Sequence, residues 1–560
     1  MNKNNILIVI LGTLLLLASC QDEMDYNESV GYNKQQVFSS FDRTGQFVST
    51  IYSQLDFDFG NFGGAMLASA SDEAEYAWSS STIHDFYNGS WSPTNAKAEL
   101  WNTNYEAIRA VNFYLVASQG QTFEPFKHNK DYNSQMERFN RYQYEVRFLR
   151  AYFYFNLIRQ FGDVPFTTEV LTDTEANKLP RTSYNEIFDF IVTECDAIAE
   201  HLPISYYDTE QKETGRVNRI AVLALKARSL LYKASPLFNT SNNKTYWYDA
   251  AIASKAVIDI CAANNVKLAN YTDLWGTESY KASEGIFIRR VGDLNYLEAY
   301  NFPIGVEGGK SGNCPTQTLV DAYEMKSTGL AWDEPGSGFN ANKPYENRDP
   351  RLDMTIAKNG DLGWPTYNSL ELQTYEGGVN GSPIAGATPT SYYLKKYCDA
   401  SVDLRPNYSN TKRHSWITFR LGEFYLNYAE ATFRYLESPD VTDSDLTLSA
   451  REAINVIRKR SGVNMPEFPT GMSNSDFEKK YMNERMVELA FEGHRFWDVR
   501  RWEKGELLKS IDRMKITKTG TVFTFTREKK ERSWNDKMYF FPIPDSERRK
   551  NPNLIQNTGW

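Results

Sequence analysis

The chain has 560 residues and a formal net charge of −9, so its length allows a large core and more than one lobe. A pI near 5.4 argues against nucleic acid or an anionic membrane surface as a partner of the body. Aromatic residues make up 14% of the chain, and although many must belong to the core, so many Tyr and Trp also suit a surface that stacks on sugars or peptides.

The N-terminus has the pattern of an export signal that ends at a cysteine. Lys3 is followed by a short apolar run and then by the sequence LASC at 17–20, which is similar to a bacterial lipobox. The run is shorter than the roughly 20 apolar residues that cross a bilayer. We therefore expect residues 1–19 to be a signal peptide, Cys20 to be acylated and residues 20–36 to be a lipidated tether. The alternative is an ordinary secretory signal in which Cys20 has no role.

The remaining cysteines give no sign of a disulfide framework or a zinc site. Cys195, Cys261, Cys314 and Cys398 are far apart, and none of them belongs to a CxxC pair. The five histidines are scattered, and no HExxH motif occurs. The sequence therefore predicts neither a metal site nor a cofactor.

Apolar residues at helical spacing predict helices along most of the chain. The helix over 136–161 has the clearest pattern, and Gly162 and Pro165 end it. The helix over 217–237 has a stripe of small residues that allows close helix contact, so consecutive hairpins resemble degenerate tetratricopeptide pairs. Further helices are predicted over 37–57, 96–118, 184–201, 246–262, 417–435, 448–461 and 476–502.

A polar loop over 68–93 interrupts this helical pattern. It contains Asp72, Trp78, Asn88 and Trp91 among Ser, Gly and Asn, without helical or strand periodicity. Because one core face does not explain so many rings in a loop, this segment is the first candidate for a binding surface. The alternative is that its rings pack the loop onto the scaffold.

Residues 268–413 differ in character from the helical parts. Gly and Pro are dense, helical periodicity fades, and 285–291 is a strand candidate. Aromatic residues are spread through the whole segment. An irregular segment of this length usually carries function, so we expect it to form a loop-rich lobe that contributes to the site.

The last predicted helix, over 476–502, alternates in charge along its polar face. His494, Glu488 and Glu492 are chemically able to form a catalytic cluster. The favoured interpretation is a packed structural helix whose charges are ion-paired. After it, the prolines and asparagines of 541–557 predict an ordered, extended tail.

Five motifs in this order resemble the SusD/RagB family, the cell-surface nutrient-binding lipoproteins of Bacteroidetes. They are YEVRFLRAYFYFNLIRQFGDVPF (144–166), RIAVLALKARSLLYKASPLF (219–238), RLGEFYLNYAEA (420–431), ERMVELAFEGHRFWDVRRW (484–502) and FPIPDSERRKNPNLIQN (541–557). The resemblance implies a mainly α fold with about four tetratricopeptide-like helix pairs and an irregular ligand-facing lobe. It divides the body into a helical part at 37–267, the lobe at 268–413, and a helical part with its tail at 414–560.

The same resemblance implies a function at the outer membrane. Family members bind oligosaccharide at the cell surface and hand it to a SusC-like TonB-dependent barrel without cleaving it, whereas the RagB branch binds peptides. The expected location is therefore the outer membrane, with the protein lipid-anchored and surface-exposed. A glycosidase remains a third hypothesis, and it needs two carboxylates facing the scissile bond.

The ligand residues are inferred only by position in the family. The loop before the helix with Trp101 and Tyr105 supplies Asp72, Trp78, Asn88 and Trp91, and Asp42 near the first helix is a further candidate. Candidates in the middle lobe are Tyr296, Cys314, Trp332, Arg351 and Tyr392. For Cys314, which follows a glycine-rich stretch, a buried inert thiol is the favoured alternative.

Overall fold

The computed structural model describes residues 33–210 and 212–560. Cys20, the predicted signal peptide and residues 20–32 of the predicted tether lie outside the described residues. Among the helices of the described ranges, none is both long enough and apolar enough to cross a membrane.

The fold is mainly α, as the helical periodicity and the family resemblance predicted. Several helices begin where a side chain caps the first turn; Ser183 accepts a hydrogen bond from the Glu186 N–H, and Ser449 forms a capping box with Glu452. The helices are α1 Lys34–Phe38, α2 Phe41–Ser53, α3 Glu99–Ala117, α4 Tyr132–Phe161, α5 Asp173–Ala176, α6 Tyr184–Ile198, α7 Arg219–Ala234, α8 Lys244–Ala263, α9 Tyr296–Asn301, α10 Gln317–Ala322, α11 Arg351–Thr355, α12 Leu421–Leu436, α13 Ala450–Arg458, α14 Asn474–Glu488, α15 Arg495–Arg501 and α16 Asp545–Lys550.

The long helices form one continuous stack. α3 packs on α4, α4 on α6, α6 on α7, α7 on α8, α8 on α12 and α12 on α13. Small buried residues of α7 and α8, such as Ala224, Ala227, Ala250 and Ala251, lie at these contacts and permit close approach. Neighbouring helices thus bury their apolar faces against one another, as in tetratricopeptide-like repeats.

Within the described residues the strands pair only in twos, always antiparallel; six of them have two or three residues and four have nine or ten. β1 pairs with β5, β2 with β3, β4 with β8, β6 with β7 and β9 with β10. The strands are β1 Ala74–Tyr76, β2 Val164–Pro165, β3 Arg181–Thr182, β4 Gly285–Leu294, β5 Asn313–Pro315, β6 Ile356–Ala357, β7 Tyr393–Leu394, β8 Lys412–Arg420, β9 Ser510–Thr519 and β10 Val522–Glu531.

Apart from the helix expected over 476–502, three predicted elements were wrong in detail. The helix expected over 37–57 is two helices, α1 and α2, and the helix expected over 417–435 begins only after β8 has ended at Arg420. The extended tail contains the short helix α16. The hairpin of β9 and β10 was missed, although Gly520, which turns it at φ 63°, is a hairpin signal.

The helix expected over 476–502 is broken between α14 and α15. Phe491 has φ 61° and Gly493 has φ 75°, so the backbone enters the left-handed region twice within the break. The Phe491 N–H, which a continuous helix would use internally, donates instead to Glu73 Oε1 at 3.2 Å. A carboxyl group from a distant segment therefore stabilises the interruption.

A buried network of ion pairs joins the helical stack to the lobe. The Glu488 carboxylate lies at 2.8 Å from both Arg351 and Arg420 and at 2.9 Å from Arg460. These four side chains are almost completely inaccessible to solvent. Although burial opposes it, the three guanidinium groups lower the pKa of Glu488 to about 2. The stabilisation from this carboxylate is therefore present above about pH 4.5 and is lost as the pH falls towards 2.

Replacing Glu488 by Gln should lower the free energy of unfolding by about 3–5 kcal/mol, because three buried arginines would lose a shared counter-ion. Denaturant unfolding measures the change. The matched control is Glu346→Gln, which removes an exposed pair with Lys343 and should leave stability nearly unchanged. Equal stabilities of the two variants would contradict the role given to this network.

Candidate functional site

Loop 68–93 is held against the middle lobe by backbone and side-chain hydrogen bonds. β1, inside the loop, pairs with β5, so that Glu75 lies opposite Cys314. The Asn313 Oδ1 accepts hydrogen bonds from the Met66 N–H and the Ser69 hydroxyl, both at 2.8 Å. Two segments far apart in the sequence therefore form one surface.

Trp78 lies on this surface, and its indole ring is restrained at one edge by a hydrogen bond and along one face by a glycine. Its Nε1–H donates to the Lys310 carbonyl at 2.6 Å. The ring rests on Gly386, where an added Cβ would lie 2.4 Å from a ring carbon, so only glycine fits beneath it. The side chain remains 37% exposed.

Two tyrosines of α9 are linked to Trp78 through Lys310, whose carbonyl binds Trp78 and whose ammonium lies over Tyr300. The Lys310 ammonium is 5.1 Å from the centroid of the Tyr300 ring, and the Tyr300 and Tyr296 centroids are 6.5 Å apart. Tyr300 packs on Gly64, where an added Cβ would approach the ring to 3.0 Å, whereas Tyr296 is 38% exposed. We call Trp78, Tyr296 and Tyr300 the aromatic platform.

The platform is suited to binding rather than to proton transfer. Its rings offer apolar faces, while the Lys310 ammonium and the tyrosine hydroxyls offer hydrogen-bond donors. Partial burial raises the pKa of Tyr296, so its hydroxyl is neutral at physiological pH. A sugar ring requires this combination of a flat apolar face and polar groups at its edge.

Two of the predicted site residues, Trp78 and Tyr296, belong to this platform, Trp78 through the Lys310 carbonyl and Tyr296 through Tyr300. Tyr300 and Lys310 were not selected from the sequence. The spacing from Tyr296 to Tyr300 places both rings on one face of a helix, and this was the available signal.

Asp72 and Trp91 lie in the same loop but are buried. Both Asp72 carboxylate oxygens accept hydrogen bonds from Arg495 at 2.8 Å. Trp91 donates from Nε1 to the Ala96 carbonyl at 3.0 Å, and Phe541 is among the rings that cover it. Their burial assigns both side chains to holding the loop on the scaffold, which is the alternative that the sequence left open.

Three candidates of the middle lobe are also buried. Arg351 belongs to the network around Glu488, and the Tyr392 hydroxyl donates to Gln317 Oε1 at 2.5 Å. Cys314 is fully buried in β5, and burial raises the pKa of its thiol, so it is an inert thiol in this structure. None of these three side chains offers a surface to a ligand.

The last three candidates are accessible, and each lies in other surroundings than the platform. Trp332 is half-buried, with the Arg527 guanidinium 3.5 Å from its ring centroid. Asn88 is exposed, and its Oδ1 accepts from the Ser90 N–H at 2.9 Å within a turn. Asp42 is exposed in the first turn of α2.

Comparisons with known proteins agree with this architecture. A model of the SusD family matches residues 285–560, and a second model, described as starch-binding and associating with the outer membrane, matches residues 48–231. The starch-binding protein SusD of Bacteroides thetaiotaomicron is 24% identical over 532 residues, covering 88% of this chain and 84% of that protein.

Solved structures give the same result. A SusD-like protein from Bacteroides fragilis has a TM-score of 0.78 at 25% identity, covering 95% of this chain and 99% of its own. A second protein of that species, described as SusD-like and carbohydrate-binding, has a TM-score of 0.74 at 25% identity, covering 93% and 100%. This chain belongs to the SusD family. The two matched segments include the aromatic platform. Trp78 lies in the segment 48–231, and α9 lies in the segment 285–560.

Next to Asp72, the loop of this SusD-family protein carries a buried carboxyl group, that of Glu73, with an unusually high pKa. Burial, with the nearby Asp72 charge, raises the pKa of Glu73 to about 8. Its Oε1 accepts from the Phe491 N–H, whereas Oε2 has no hydrogen-bond partner among the described residues. Because the pKa is raised on folding, the stability that this group contributes is present below about pH 4.5 and is lost as the pH rises through 8.

Replacing Glu73 by Gln should remove this pH-dependent loss. The amide keeps the acceptor for the Phe491 N–H and has no proton to lose, so the variant should gain stability relative to the parent as the pH rises from 5 to 8.5. Denaturant unfolding across this range measures the difference. Parallel pH profiles for the two proteins would show that Glu73 does not titrate as described.

Proposed function

We propose that this protein binds a glycan at the cell surface on the aromatic platform and delivers it to a SusC-like TonB-dependent transporter without cleaving it. The observation that carries the proposal is that Trp78 and Tyr296 come from separate segments linked through Lys310 and Tyr300, and that both remain partly exposed. Trp78 is held by Gly386 and Lys310, and Tyr300 by Gly64 and Lys310, so these two rings are positioned before any ligand arrives. The names of the starch-binding and carbohydrate-binding relatives support the same class of ligand.

The platform favours binding without hydrolysis. Glycoside hydrolysis requires a pair of carboxylates on either side of the scissile bond. Trp78 and Tyr300 instead contact Lys310, Gly64 and Gly386. Glu488 and Glu492, the carboxylates of the cluster considered for catalysis, are buried in ion pairs with arginine and lysine. These pairs support the structural interpretation of that cluster.

Replacing Trp78 or Tyr296 by Ala should weaken glycan binding about tenfold or more, a change of about 1.4 kcal/mol, because each variant removes a stacking face. Isothermal titration against a panel of neutral and charged glycans measures the affinity. The matched control is Tyr248→Ala, a tyrosine of α8 that pairs with Tyr435 away from the platform.

Two results would overturn this function. Binding of peptides in place of every glycan would favour the RagB-type alternative. Release of shorter sugars from a bound glycan, detected by product analysis after incubation, would favour a glycosidase.

The transporter partner and the lipid anchor are parts of the same proposal. A protein anchored through Cys20 beside a barrel could open and close over it on the predicted tether. The outer-membrane association in the description of the matched SusD-like model supports this location.

Replacing Cys20 by Ala should release the protein from the membrane fraction, because no acyl chain could be attached. Cell fractionation and immunoblotting follow the release, and titration of the soluble body should show unchanged glycan affinity. Retention of the variant in the membrane would contradict anchoring through this cysteine.

A further inference from the structure

A groove lies along β4. Its volume is about 480 Å³. The end of α2 with Ser53 forms one wall, residues 213–216 form the other, and residues 287–290 line it between them. We call this the arginine groove.

Two arginines of the groove have no carboxylate partner. Arg289 donates to the Ser53 carbonyl at 3.0 Å and lies 4.3 Å from the Phe57 ring centroid. Arg290 donates to the Thr214 hydroxyl at 2.5 Å and lies over the Tyr280 ring. Within residues 33–210 and 212–560, neither guanidinium makes an ion pair with a carboxylate within 4.0 Å.

The neighbouring arginine of the groove is different. Arg216 is paired with Glu145 at 2.8 Å and with Glu213 at 3.1 Å, and Glu213 also binds Arg138. The groove therefore has two positive charges that its own carboxylates do not neutralise. They stand out in a chain whose net charge is −9.

The position of Arg289 makes an anionic ligand favourable. Burial lowers its pKa, although Asp56, Tyr152 and Tyr296 oppose this effect, so the cation loses hydration without gaining an ion pair. A carboxylate or sulfate oxygen could accept charge-assisted hydrogen bonds from the guanidinium. Arginine is the side chain best suited to such planar groups.

The groove and the aromatic platform lie within reach of one polymer chain. β4 leads from Arg290 to Leu294, and α9 begins with Tyr296. At about 3.3 Å per residue, Arg290 and Tyr296 are separated by roughly 20 Å at most. Residues 57–64 also connect the two sites. The Phe57 ring lies under Arg289, and Gly64 lies against the Tyr300 ring.

We propose that Arg289 and Arg290 bind an anionic group of the same glycan that stacks on the aromatic platform, which makes the ligand an acidic polysaccharide. This inference rests on the proposed glycan-binding function. The shared chemistry is a negatively charged oxygen group, which a uronic acid supplies as a carboxylate and a sulfated sugar supplies as a sulfate ester. The platform binds the sugar ring, and the two arginines of the groove bind its charged group and so select an acidic glycan.

The test uses the protein with its full body and two matched pairs of polymers. Polygalacturonate is compared with its methyl ester, and dextran sulfate with dextran, by isothermal titration at low and at physiological salt. Tighter binding of at least one charged polymer than of its neutral counterpart is expected, with an affinity that falls as salt increases. The pair that shows the difference identifies carboxylate or sulfate as the preferred group.

Replacing Arg289 and Arg290 together by Gln should weaken binding of the charged polymer about tenfold or more and leave the neutral polymer unchanged. The matched control is Arg434→Gln, an arginine of α12 that is paired with Glu478 at 2.5 Å. This control should bind every polymer as the parent protein does.

Three outcomes would overturn the inference. The first is equal binding of charged and neutral polymers, and the second is a preference for charge that the double variant retains. The third is arginine-dependent binding of polyglutamate as tight as that of the charged glycans, which would assign the groove to an acidic protein. Failure of the platform is distinguishable, since Trp78→Ala would then leave all binding unchanged while the arginine dependence persisted.

Discussion

The Glu488 carboxylate is the point on which the helical stack and the lobe depend together. Three guanidinium groups contact it: Arg351 from α11, Arg420 from the end of β8, and Arg460 from the segment after α13. Charges taken so completely out of water must be compensated locally, and the low dielectric of the interior makes a missing partner costly. Moving any one of these segments away from the others would therefore leave a buried charge without its partner. The irregular lobe, which has few long helices or strands of its own, acquires a defined position in this way.

The same rule positions the binding surface. The Asp72 carboxylate faces Arg495 in a two-bonded pair that fixes the base of loop 68–93 on α15. A charged group of the loop is thus used to hold it, while Trp78 of the same loop stays partly exposed. Trp78 needs no core packing, because the Lys310 carbonyl and the flat space above Gly386 already restrict it. A rigid aromatic side chain loses little conformational entropy on binding, which suits a preformed site.

Periodicity could predict the helices because each one buries a regular apolar face against its neighbours in the stack. It could not predict the break within 476–502, since the group that stabilises it, Glu73, comes from a distant part of the chain and binds the Phe491 N–H. The candidate site shows the same limit. Asp72 and Trp78 have similar surroundings in the sequence, yet one is buried against an arginine and the other is exposed. Only a long-range partner distinguishes a loop residue that supports the fold from one that faces solvent. The tyrosine pair of α9 is a local pattern and could have been found.

A protein of net charge −9 that binds an acidic polymer must overcome repulsion, and the range of that repulsion decides where selectivity arises. At physiological salt the Debye length is about 8 Å, so charges across the molecule are largely screened from a bound chain. The groups in direct contact then dominate, and in the groove these are Arg289 and Arg290. Weak stacking at the platform and a weak charged contact in the groove become strong together when one chain spans both, because the second contact forms at high effective concentration. Neither part needs high affinity alone.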